Sequence, residues 1–291
     1  MAIAHDIIKV LANIFDYNEA SMPQYAAADL FNPGCPLVAL GTSSNNNESL
    51  GEILKFGIQC GFRVLNMSDE DKNAHLIRLT LPSLIAGGFV TRQDLFISFK
   101  IAKLQNIRQL EGQIREHLKK RNLTYFDLLI VEHSSLIEND LFKVWKVLEN
   151  LHLSRSVRNM GLSGFSIQQI KYILSVAVIK PFAVQALFNP LAVNLELIKF
   201  CQNHDLLLFA MSPLDHQKSN KRLQSESVVT RIAHDHSVSP VQILLAWAIQ
   251  SQTLPVVQTS NIDHIKENIM LSDVKLSESE MEDINRLSGV S

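Results

Sequence analysis

Apolar positions along the chain follow two rhythms, and the rhythms alternate. Short runs of strand composition are separated by longer stretches in which apolar residues return every three or four positions. The pattern predicts strands over residues 36–41, 62–67, 95–101, 125–131, 157–162, 183–187, 206–211 and 255–258. It predicts helices over 48–59, 75–85, 110–121, 140–151, 166–176, 195–202, 225–234, 240–251 and 262–270. In the fourth of these helices Leu141, Val144, Trp145 and Leu148 share one side. Residues 125–131 are almost continuously apolar, as a strand covered on both faces requires. Ahead of the first strand, residues 1–15 are apolar but broken by His5, Asp6 and Lys9, which reads as an amphipathic helix rather than a signal peptide. Residues 1–30 are therefore expected to be a helical extension, and residues 31–291 the folded body.

Strands joined through helices pair in parallel with right-handed crossovers. Eight such units with one additional helix match an α/β fold of the (β/α)8 barrel type, which takes roughly 250 residues. An open doubly wound sheet is the competitor, but no G-x-G-x-x-G follows an early strand. In a barrel the chemistry sits at the C-terminal ends of the strands. That directs attention to Gly41, Asn66, Lys100, Glu132, Ser163, Gln185, Met211 and Gln258.

Composition narrows the partners. The chain has 27 basic and 29 acidic residues, too balanced to argue for nucleic acid or an anionic membrane. It has no charge-free apolar run of the ~18 residues that a spanning helix needs. Cys35, Cys60 and Cys201 are far apart and form neither a metal nor a redox motif, so a reduced, cytoplasmic, metal-free chain is expected.

Local strings then carry a resemblance. Ala39-Leu40-Gly41-Thr42, Gly61-Phe62-Arg63, Leu95-Phe96-Ile97-Ser98-Phe99-Lys100 and Tyr125-Phe126-Asp127-Leu128 occur in that order. Gly161-Leu162-Ser163, Ser212-Pro213-Leu214, Ser239-Pro240-Val241-Gln242 with Trp247, Glu267-Asn268 and Leu276-Ser277-Glu278 follow. As an ordered set they resemble the aldo-keto reductases, in the branch with compact loops. The short connection after the fourth strand, residues 133–138, implies a shallow site unless residues 1–30 cover it.

The resemblance implies reduction of a carbonyl by a nicotinamide hydride, with an acid beside the developing alkoxide. The family uses four residues for this. A tyrosine gives the proton, a lysine lowers its pKa, an aspartate holds the lysine and a histidine polarises the carbonyl. Position by position, three of the four differ here. Asn66 stands at the aspartate's place, Asp71 at the tyrosine's and Glu132 at the histidine's, while Lys100 is kept. One branch, the steroid 5β-reductases, also carries glutamate at the histidine's place, but keeps the tyrosine. No tyrosine lies between Gly61 and Leu95. An aspartate in water is ionised at neutral pH and only accepts hydrogen bonds. Asn66 can bond a lysine without bringing charge. Asp71 lies in an acidic stretch with Asp69 and Glu70, expected to repel a phosphate. Glu132 beside Lys100 is expected to form an ion pair. Two readings of the pair stand: a structural plug at the barrel mouth, or a catalytic pair with altered chemistry. A one-residue slip would instead bring His133 inward, because strand side chains alternate faces.

Cofactor positions are unevenly kept. The resemblance assigns Thr42, Ser163, Gln185, Ser212, Thr259, Glu267 and Asn268 to them, with Ser163 and Gln185 on the carboxamide and Glu267 and Asn268 on the adenine. Glu267 and Asn268 also read as ordinary helix-surface and capping residues. Met211 replaces the tyrosine that stacks on the nicotinamide, and Gly164 replaces an asparagine. Gln258 and His264 replace the lysine and arginine that clamp the 2′-phosphate. Charge-assisted contacts are roughly twice as strong as neutral ones, so NADP or NAD is expected to bind weakly or not at all, with little discrimination. Two functions stay open. One is a catalytically impaired, pseudo-oxidoreductase barrel that acts by binding a protein partner or a small-molecule carbonyl. The other is an active NAD(P)H-dependent oxidoreductase in which Glu132, His133 or water gives the proton.

Overall fold

Eight parallel strands close on themselves in the computed structural model, which describes residues 38–43, 49–104, 106–136, 141–214, 223–271 and 274–289. The strands are β1 (Ala39–Gly41), β2 (Val64–Ser68), β3 (Phe96–Ile101), β4 (Phe126–Glu132), β5 (Val157–Ser163), β6 (Ala183–Leu187), β7 (Leu207–Met211) and β8 (Thr253–Val257). Each pairs with its successor, and β8 returns to β1 through Ala39 opposite Val256 and Leu40 opposite Val257. This is the (β/α)8 barrel. The expected extension over residues 1–30, Cys35 and the last part of the connection after β4, from residue 137, lie outside the described residues.

The helices are α1 (Leu50–Gln59), α2 (Ala74–Ala86), α3 (Leu110–Arg121), α4 (Leu141–Leu153), α5 (Ile167–Val176), α6 (Leu195–Asn203), α7 (Ser227–Asp235), α8 (Pro240–Gln250), α9 (Ile262–Ile269) and α10 (Glu278–Asn285). Their starts are chemical. Ser166, Ser239 and Ser277 each accept a hydrogen bond from the backbone of the third helical residue, whose side chain bonds back. Several element ends lie two or three residues from the sequence pattern, with β1, β2, α1 and α7 starting later, and two further differences stand out. β8 begins two residues earlier than residue 255, taking Thr253 and Leu254 into the barrel wall. α10 has too few apolar positions to show a helical face, and only Ile284 in it is buried.

Two apolar layers follow from the strand alternation. Phe96, Leu128, Ile130, Phe209 and Leu254 fill the barrel interior, while the alternate residues pack against the helices. Near the N-terminal end of β4, buried Asp127 takes Arg92 at 2.8 Å and Arg158 at 3.1 Å, and both guanidiniums stack 3.9 Å from the Tyr125 ring centre. Asp127 also accepts the Ile97 N–H at 2.8 Å, tying β3, β4 and β5 together. Among the described residues no helix is long and apolar enough to cross a membrane.

Candidate active site at the barrel mouth

Interior parity decides what faces the mouth. Leu128 and Ile130 belong to the interior cluster, so Glu132, two residues further along β4, points inward as well. Its Oε2 lies 2.7 Å from Lys100 Nζ at the end of β3, with both side chains partly exposed. The slip that would turn His133 inward does not occur. His133 opens a short turn outside the strand, is exposed, and meets Gln169 at 2.9 Å and the edge of Phe165.

Position 71 is enclosed. The Asp71 side chain is 0% exposed. Its Oδ2 accepts from Thr42 Oγ1 at 2.6 Å and from the Ser68 N–H at 3.0 Å, and its Oδ1 accepts from Ser43. The Arg121 guanidinium stands 3.6 Å from the same carboxylate. Burial pushes the Arg121 pKa down, and the charge of Asp71 pulls it back up. The expectation of an acidic loop repelling a phosphate is corrected on this point. Asp71 turns inward onto a counter-ion, Asp69 accepts the Ala102 and Lys103 N–H groups, and Glu70 faces Lys103 at 3.5 Å.

Asn66 is buried but does not hold the lysine. Its Oδ1 accepts from Ser98 at 2.8 Å and from Gln185 Nε2 at 3.3 Å. Ser163 pairs in register with Glu132 on one side and Gln185 on the other, so these three stand side by side at adjacent strand ends. Met211, at the end of β7, packs on the interior apolar cluster. Ser212 follows it at φ 52°, a left-handed backbone that costs a non-glycine residue about 1 kcal/mol. Asn189 donates to its carbonyl at 3.1 Å.

The remaining cofactor positions cluster at β8 and α9. Gln258 lies over Gly41: a Cβ built there would meet its Cγ at 2.6 Å, so glycine is what leaves the amide room. Thr259 Oγ1 accepts the Asn261 N–H at 2.9 Å and lies 3.3 Å from His264 Nδ1. His264 is exposed, Glu267 half-buried and Asn268 buried.

Two residues that matter here were passed over in the sequence. Asn189 was visible only as an Asn-Pro turn. Arg121 had a clearer mark: it continues the apolar stripe Leu110, Ile114, Leu118 of α3, where a charge needs a partner.

Known proteins agree with this architecture. The aldo/keto reductase family pattern matches residues 37–288. Aldo-keto reductase family 1 member A1 of Rattus norvegicus is 28% identical over 279 residues, covering 87% of this chain and 86% of its own. A Synechocystis aldo/keto reductase is 26% identical over 272 residues, covering 84% and 83%. Among solved structures, the aldose reductase of Schistosoma japonicum superposes with a TM-score of 0.78 at 27% identity, over 86% of this chain and 87% of that one. The Bombyx mori aldo-keto reductase, solved in complex with NADP, gives 0.80 at 25% identity, over 87% and 89%. A closed parallel barrel, a lysine at the end of β3 and a family match across nearly the whole described body lead to one conclusion: the chain belongs to the aldo/keto reductase family.

Proposed function

We propose that this barrel is a lapsed oxidoreductase, which does not reduce carbonyls and acts by binding a ligand or protein partner. The observation that carries the reading is the state of Asp71. At the proton donor's place stands a carboxylate with no exposed surface, already accepting from Thr42, Ser43 and Ser68. A buried carboxylate already filled by three donors is an acceptor, and does not serve as the proton donor that carbonyl reduction needs. Lys100, which the family uses to sharpen the tyrosine, is paired with Glu132 instead.

The same contacts argue for weak nicotinamide binding. A nucleotide would have to take the Thr42 hydroxyl from Asp71 and the Gln185 amide from Asn66. Its 2′-phosphate would meet Gln258 and His264, where the relatives' pattern places two permanent cations. These residues fit the cofactor poorly. A second reading has one observation in its favour: Glu132 faces the mouth and is partly exposed, so it is placed to exchange a proton.

Thermal denaturation with 1 mM NADPH or NADH, run beside aldehyde turnover under the same conditions, tests both readings. A dissociation constant at or above 1 mM shifts Tm by less than about 2 °C for a chain this size. That small shift, near-equal for the two nucleotides and without turnover, is expected. Turnover that vanishes in Glu132→Gln would establish the second reading instead.

A further inference from the structure

Arg121 occupies a position that the α3 stripe reserves for an apolar side chain. Leu110, Ile114 and Leu118 precede it on the buried face, and its own side chain is 1% exposed. Burying a guanidinium is expensive unless its charge and its donors are met. Arg121 Nη2 donates to the Ser68 carbonyl at 2.7 Å and faces Asp71 Oδ2 at 3.6 Å. The guanidinium lies 4.7 Å from the Phe99 ring centre, and Nη1 stands 3.3 Å from His117 Nδ1. Among the described residues its Nε meets no hydrogen-bond partner. Nη1 also reaches the His117 carbonyl at 3.5 Å within its own helix, so Ser68 supplies the short carbonyl contact and Asp71 the facing carboxylate that make this burial tolerable.

We propose that Arg121 is the positioning residue that fixes position 71 as an inward-facing acceptor, so that the two residues act as one coupled unit. The proposal rests on reading position 71 as the lapsed proton donor's place. The geometry explains why the unit is closed. Asp71 receives two hydroxyls and one N–H, linking the end of β1 to the turn after β2. Arg121 anchors that turn from α3, fifty residues away in sequence. A tyrosine at 71 has one oxygen in place of two and no charge. It would leave the buried guanidinium uncompensated, and the Thr42 and Ser43 hydroxyls without their shared acceptor. Arg121 must therefore change before position 71 can carry a donor aimed at the mouth.

The test is a double-mutant cycle in the full chain. Asp71→Asn keeps the side-chain shape and removes the charge, and Arg121→Met keeps the volume and removes the guanidinium. Each single change is expected to lower Tm by about 5–8 °C, because each takes away the partner of one buried charge. The double variant is expected to recover at least half of the summed loss. Additive losses would overturn the coupling. A second readout separates positioning from stability. Asp71→Tyr, Asn66→Asp, Glu132→His, Gln258→Lys and His264→Arg are combined, and NADPH-dependent aldehyde reduction per folded molecule is measured with and without Arg121→Met. At least about tenfold more turnover is expected with it, in line with the range for a positioned acid. Equal turnover in the two backgrounds, nil included, overturns the positioning role. Aldehyde reduction by the wild type would sink the proposed function and leave the stability cycle untouched.

Discussion

Gly161 shows how little tolerance the barrel interior has at the scale of one residue. A Cβ added there would lie 2.9 Å from the Ala183 carbonyl and 3.3 Å from Ile130 Cγ1. The first of these neighbours is backbone, so β5 and β6 would have to move apart. Gly161→Ala is expected to cost about 1–3 kcal/mol, as overpacking does. A urea titration would show it as a lower midpoint with an unchanged slope. An unchanged midpoint would mean that the β5–β6 pairing yields more easily than its register suggests. The neighbouring Ser163 ends the same strand at the mouth, so a shift in β5 would also be felt beside Glu132 and Gln185.

Among the helices, α3 links surface chemistry to the enclosed unit at position 71. His117 and Arg121 are one turn apart on it, and His117 also packs 5.0 Å from the Phe99 ring. Burial first, and then the Arg121 charge, push the pKa of His117 below its ordinary 6.5. The unfolded chain therefore takes up a proton near pH 6.5 that the folded chain refuses. The stability present above pH 6.5 is lost as pH falls from there toward the folded value, by at most about 1.4 kcal/mol per pH unit. Tm measured from pH 7 to pH 5 is expected to fall more steeply in the wild type than in His117→Gln. Parallel curves would show that His117 takes up its proton as readily folded as unfolded.

On the scale of the whole molecule, closure depends on a charge cluster near the barrel's N-terminal end. Asp127 binds Arg92, Arg158 and the Ile97 N–H, so one carboxylate serves three strands and the segment before β3. Removing it takes a buried carboxylate away from the two guanidiniums stacked on Tyr125. Asp127→Ala is expected to cost about 3–5 kcal/mol, the usual penalty for breaking a buried ion pair. In a denaturation scan this appears as a fall in Tm of about 5–8 °C with a single transition retained. A loss below about 1 kcal/mol would show that stacking on Tyr125 holds the arginines by itself.

Much of this architecture was legible in one dimension. Element order follows from side-chain periods of two and 3.6, which are local properties of the chain, and the strand and helix ends lie within three residues of the pattern. α10 leaves no helical signature in the pattern because its apolar face is nearly empty, and its helix rests on the Ser277 cap and packing of Ile284. Lys100 and Glu132 were legible as neighbours because both lie at strand ends, two positions whose facing follows from parity once the register is set. Choosing between Glu132 and His133 needed that register, and only the pairing of β4 with β3 and β5 supplies it. The absence of a tyrosine after β2 is written in the sequence. That Asp71 takes its place is written there too, but what surrounds Asp71 is not. Asp71 reads as one more solvated acid among Asp69 and Glu70 until closure of the barrel brings Thr42, Ser43 and Arg121 around it. The sequence determines which charges exist, since that is covalent. Which of them are buried, and which partner makes that burial tolerable, is decided by distances between segments that meet only when the barrel closes.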